Sequence, residues 1–120
     1  MLLVGCGTTP AVDDAALQAD LAAGRSGAEV TFHATLSTDP ARIGSHERMQ
    51  VQDAYGDRLE IDYNTDLGPW VPARGGQTII VQGQLYIDSP TRIGVHCVHA
   101  KTSLGCPIPG FIRYQGTTYQ

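Results

Sequence analysis

The chain changes rhythm once. From Asp13 to Gly24 the apolar positions fall at helical spacing, with Leu17 and Leu21 one turn apart among alanines. Asp13 and Asp14 stand where a helix start accepts negative charge, and Gly24 offers a left-handed stop. One short helix is predicted, with a narrow stripe that packs on whatever follows. From Ala28 onward the period is two. Val30, Phe32, Ala34 and Leu36 share one strand face, opposite Glu29, Thr31, His33 and Thr35, and Asp39-Pro40 ends the run.

Met49 and Val51 alternate with Arg48, Gln50 and Gln52; Tyr55-Gly56-Asp57 turns the chain into Leu59, Ile61 and Tyr63, which alternate with Arg58, Glu60 and Asp62. That is a hairpin. The segment from Asn64 to Gly76 is a long connection, too rich in proline and glycine for a regular helix. Thr78 to Ile87 reads as the longest strand, with Gly83 marking a bulge or bend, and Arg92 to His99 as another. Phe111 to Tyr114 and Thr117 to Tyr119 form a terminal hairpin about Gln115-Gly116. The expected fold is mainly β: a small curved antiparallel sheet, or a five-to-six-stranded barrel of the oligonucleotide/oligosaccharide-binding (OB) type, behind one N-terminal helix. The OB helix between the third and fourth strands has no counterpart in residues 64–76.

The first residues carry an address. Leu3-Val4-Gly5-Cys6 reads as a bacterial lipobox, in which small or compact apolar residues precede a cysteine to be acylated. On this reading residues 1–5 are the remnant of an export signal. Residues 6–12 are a lipidated cysteine and its tether, and 13–120 are a single β-rich domain. The protein would sit in the cell envelope, held to the membrane by lipid on Cys6. Gly7, where inner-membrane retention commonly uses aspartate, favours the outer membrane, facing the periplasm. An oxidising compartment gives Cys97 and Cys106 a use as a disulfide, worth about 2–3 kcal/mol for so short a loop. The alternatives are two buried thiols or, without a Cys-x-x-Cys pair, a less natural zinc site.

Net charge is −4 and Lys101 is the single lysine, so phosphate-backbone binding is not expected. The residues that invite chemistry are His46, His96 and His99, since imidazole titrates near neutrality and ligates metals. His96 and His99, three apart on one strand, should point to opposite faces unless a bulge intervenes, so no shared metal is expected and no cofactor is indicated. Asn64-Thr65-Asp66 is either local turn chemistry or part of a polar pocket with Tyr63 and His46. Trp70, on a proline-flanked loop, is the aromatic best placed for ligand contact.

Several landmarks in order resemble bacterial domain-of-unknown-function family 3465, found in exported proteins. They are Gly44-Ser45-His46-Glu47-Arg48-Met49, Tyr63 to Pro72, Gly83-Gln84-Leu85-Tyr86, Gly94 to His99, Pro109 to Ile112 and Gly116 to Tyr119. The resemblance spans roughly Leu17 to Gln120. Relatives tend to carry His-Asn at Tyr63-Asn64, Trp at Cys97 and a further His at Ala100, so a histidine cluster of theirs would be reduced here. The resemblance brings no established activity.

Two function classes follow. One is a non-enzymatic binding module for an envelope protein, a glycan or a polar small molecule. The other is a small hydrolase or metal-dependent enzyme using His46 with Tyr63 or Asp66 and His96 or His99. The candidate pocket is His46, Tyr63, Asn64, Asp66, Trp70, His96 and His99.

Overall fold

The computed structural model describes residues 10–120; Cys6 and the signal remnant lie outside them. Helix α1 (Asp14–Ala23) is capped as its sequence requires: the Asp13 side chain accepts from the Ala16 N–H at 2.9 Å, and Gly24 ends it at φ 67°. Leu17 is buried, and Asp14 ties the helix to the sheet by accepting from the His33 N–H and meeting its imidazole.

Eight strands follow: β1 (Glu29–Leu36), β2 (Ala41–Ile43), β3 (His46–Asp53), β4 (Arg58–Asn64), β5 (Thr78–Ser89), β6 (Arg92–His96), β7 (Phe111–Tyr114) and β8 (Thr117–Tyr119). Five of them pair in the order β1-β3-β4-β6-β5, and β5 pairs back onto β1. The sheet thus curls into an OB-like ring, loosely joined rather than a regular barrel, since β4 meets β6 through only Glu60↔Gly94 and Ile61↔Val95. β2 extends β3, while β7 and β8 extend β5 outside the ring. The inward residues of the alternation fill the core, Phe32, Met49, Ile61, Leu85 and Val95 among them.

The expected all-antiparallel sheet is corrected at one place: β4 and β6 run parallel. A ring with an odd number of strands cannot alternate direction all the way round, so one parallel pair is unavoidable. Of the two readings of Gly83, bulge or bend, the bulge is not found. The register runs through it without a bulge, and the irregularity lies between Ile87 and Ser89. Gly83 stands where β5 exchanges β7 for β6 as its neighbour, and a Cβ there would run into the His96 carbonyl and the Val95 and Val98 side chains. β2, three exposed residues without an apolar phase, was not foreseen.

The parallel seam is spanned by a side chain. Tyr86, on β5, crosses the outer surface of β6 at Gly94, where any Cβ would collide with its ring and with the Glu60 carbonyl. Its hydroxyl reaches Asp62 Oδ2 at 2.7 Å and Glu60 Oε2 at 3.0 Å, both on β4. Burial first, and then the two carboxylates, hold the phenol far above its ordinary titration range, so it stays a donor. Arg48, on β3, meets the same pair, Nε lying 3.3 Å from Asp62 and 3.4 Å from Glu60. Tyr86→Phe leaves two half-buried carboxylates with one cation and no hydroxyl, so urea unfolding should show a loss of about 1–3 kcal/mol.

Candidate functional site

β3 and β4 form a hairpin in register His46↔Asn64 and Arg48↔Asp62, so these four residues share the outward face. β6 lies beside β4 and turns Arg92 and His96 to the same surface. Together with His99 and the Cys97–Cys106 pair they line a concavity of about 390 Å³. Its floor is therefore the outer surface of the seam, and its wall is the cysteine-closed loop.

His99 reaches this pocket because the strand stops early. β6 ends at His96, and Cys97 takes a left-handed φ of 59°. Alternation fails at that residue, so the expected opposition of His96 and His99 is overturned: both line one cavity. Val98 is buried in the core, and Cys97, also buried, is bonded to Cys106 with their Cα atoms 5.3 Å apart.

His96 is fixed by Nε2 to the Gln84 side-chain oxygen at 2.8 Å and by an edge contact from Tyr86, ring centroids 5.4 Å apart. His99 is half-buried, and its Nδ1 is out of reach of solvent and of any hydrogen-bond partner among the described residues. Asn64 spends its Oδ1 on the Asp66 N–H at 2.9 Å, the local turn chemistry that its sequence allows. Even with three imidazoles nearby, no set of three His, Cys, Asp or Glu among the described residues is placed to hold a metal ion.

The remaining sequence candidates lie elsewhere. Asp66 is exposed and does not line the cavity. Trp70 is half-buried on its loop with the Arg42 guanidinium 4.6 Å above its ring, so one aromatic face is already covered. Tyr63 points into the core and is fully buried.

Tyr63 has an inward neighbour that sequence reading passed over. Glu47 is its register partner and is also fully buried. Glu47 Oε1 accepts from the Val71 N–H at 2.7 Å, whereas Oε2 and the Tyr63 hydroxyl have no hydrogen-bond partner among the described residues. Burial raises Glu47 to about 7, against the Val71 bond and the Arg42 charge, which both lower it. Tyr63 is pushed up to about 12 by burial and then by Glu47. A glutamate at the head of the inward phase that continues through Met49 and Val51 was the available signal.

No family model, curated protein or solved structure matches this chain. The resemblance to family 3465 thus rests on the landmarks quoted above.

Glu47 binds its proton more tightly folded than unfolded, where a glutamate titrates near 4.5. Below that value both states are protonated and nothing is lost. As pH rises through about 7 the folded chain must hold a bare carboxylate away from water, so stability falls across that window. Glu47→Gln keeps the acceptor for Val71 and carries no charge. It should match wild type near pH 5 and exceed it by about 2–3 kcal/mol near pH 8, read from thermal or urea melts.

Proposed function

We propose that the chain is a non-enzymatic binding module that holds a small polar ligand bearing an anionic group in the cavity over the β4–β6 seam. The observation that carries this reading is the composition of the lining: His46, His96, His99, Arg48 and Arg92 face one carboxylate, Asp62. That carboxylate is already matched by Arg48 and the Tyr86 hydroxyl. Among the described residues Arg92 is tied only to the exposed Asp88 at 3.6 Å, so its fork can turn to a ligand oxygen. An outward strand face beside a loop is also where barrels of this type take ligands.

A hydrolytic reading finds less support. The two sulfurs are consumed by each other, and among the described residues no carboxylate orients His46, His96 or His99. The one histidine–carboxylate pair, His33 with Asp14, does not line the cavity. We further propose that Cys6 carries lipid and that the module works in the cell envelope, as the lipobox reading and the family resemblance suggest.

Titration calorimetry of residues 10–120 with inorganic phosphate and with a hexuronate tests the ligand class. At least one should bind, and His46→Ala and Arg92→Ala should each weaken it about tenfold, the size of one charge-assisted contact. The melting temperature of His46→Ala should stay within about 2 °C of wild type, because a partly exposed imidazole with no side-chain partner among the described residues contributes little to stability. A clear fall in melting temperature would make His46 structural and remove it from the site.

A further inference from the structure

β3 and β4 stay paired along the whole hairpin, so their outward face continues beyond the first cavity. Past Arg48 and Asp62, Gln50 stands opposite Glu60 and Gln52 opposite Arg58. A second concavity of about 420 Å³ opens there, lined by Gln50, Arg58, Glu60 and Arg92 and walled by Pro90 and Thr91 between β5 and β6. Arg92 lines both cavities. We propose that the two are halves of one groove that holds an extended acidic glycan, a chain of uronic acid residues lying along β4. The inference rests on the ligand reading above and lengthens its ligand from a single anionic unit to an oligomer.

Length, charge and hydrogen-bonding capacity carry it. The seven residues of β4, Arg58 to Asn64, run about 20 Å beneath the two cavities, a span that suits several sugar rings end to end. Along that span Arg48, Arg58 and Arg92 face the carboxylates of Glu60 and Asp62. Both carboxylates are already met by Arg48 and the Tyr86 hydroxyl. Among the described residues Arg58 forms no ion pair, and Arg92 forms only the exposed one with Asp88. One guanidinium is therefore free in the second cavity, and another can turn to a ligand between the two. Planar forks set apart in this way suit a polymer that repeats its carboxylate. Gln50 and Gln52 expose side-chain amides, which donate to and accept from hydroxyls.

Two other extended polymers fit less well. β4 is bonded by β3 on one side and β6 on the other, so an acidic peptide cannot add itself here as a strand. Among the described residues no Phe, Tyr or Trp lines either cavity, so an oligonucleotide finds no such ring on which to stack its bases. A uronate chain asks for neither device. It presents hydroxyls and one carboxylate on every unit.

Titration calorimetry of the protein with a hexuronate and with its tetramer tests the length of the groove. The tetramer should bind at least about tenfold more tightly than the monomer, and Arg58→Ala should remove about tenfold from the tetramer alone. His46→Ala should weaken both, because the first cavity takes part in either complex. Arg58 is exposed, so its substitution should leave the melting temperature within about 2 °C of wild type. A tetramer that binds where the monomer is too weak to measure gives the same answer. Equal affinity for monomer and tetramer would overturn the groove and leave the first cavity standing as a site. So would a tetramer indifferent to Arg58→Ala, or tighter binding of tetraglutamate, which would make the occupant a peptide. If neither uronate binds, the groove falls as well, and inorganic phosphate decides whether the first cavity takes anions at all.

Discussion

The hydroxyl of Tyr86 bridges the weakest joint of the ring. Five strands cannot all run antiparallel to their neighbours around a closed path, so one parallel pair must exist, and here it is β4 against β6 with two residue pairs in register. Parallel pairing bonds the backbone with slanted, somewhat weaker contacts. Side chains supply what the short ladder lacks: Tyr86 from one side of the joint and Arg48 from the other meet on Glu60 and Asp62. One phenolic proton serves two carboxylates. The shorter contact, to Asp62, is the better bond, and the guanidinium covers the remaining negative charge. Gly94 belongs to the same device, because only a residue without a side chain lets the ring lie across β6.

The joint also decides whether there is a site. His46, Arg48, Asp62 and Asn64 stand on the β3–β4 side, and Arg92, His96 and the cysteine-closed loop stand on the β6 side. A gap at the seam would divide the cavity in two. Tyr86 and Asp62 therefore belong to stability and to the site at once: Asp62 lines the cavity, and the Tyr86 ring edge positions His96.

Much of this was legible in the residues. Helix α1 with its caps, the β3–β4 hairpin and the terminal hairpin all follow from periodicity and turn residues, because each depends on neighbours in sequence. The register of the β3–β4 hairpin was legible too: counted back from Tyr55-Gly56-Asp57, it sets Arg48 opposite Asp62 and His46 opposite Asn64. Arg48 and Asp62 could have joined the candidate list on that ground. What could not be read was the break at Cys97. A cysteine at φ 59° has no local signature, and its conformation is held by the covalent tie to Cys106 and by the burial of Val98. Strand alternation gave the wrong geometry for His99 because the chain leaves the strand at Cys97, and the expected bond to Cys106 did not by itself reveal that left-handed residue. The parallel seam was hidden for a similar reason, since it arises from how hairpins close on each other rather than from any segment.

β3 carries opposite tasks on adjacent residues. His46 and Arg48 face the cavity, while Glu47 between them faces the core, where one of its oxygens and the Tyr63 hydroxyl lack partners among the described residues. A buried carboxyl of this kind contributes little to stability when charged and costs a good deal when its charge must form. Its one hydrogen bond fastens the 65–77 connection to β3 at Val71, and that connection otherwise crosses the sheet without a strand of its own. Glutamate at this position therefore trades stability above neutral pH for a fixed path of a long loop. Because the backbone of three consecutive residues holds both the loop anchor and the cavity wall, a shift that relieved Glu47 inside would move His46 and Arg48 outside. The loop anchor in the core and two residues of the cavity wall therefore share one short stretch of backbone on β3.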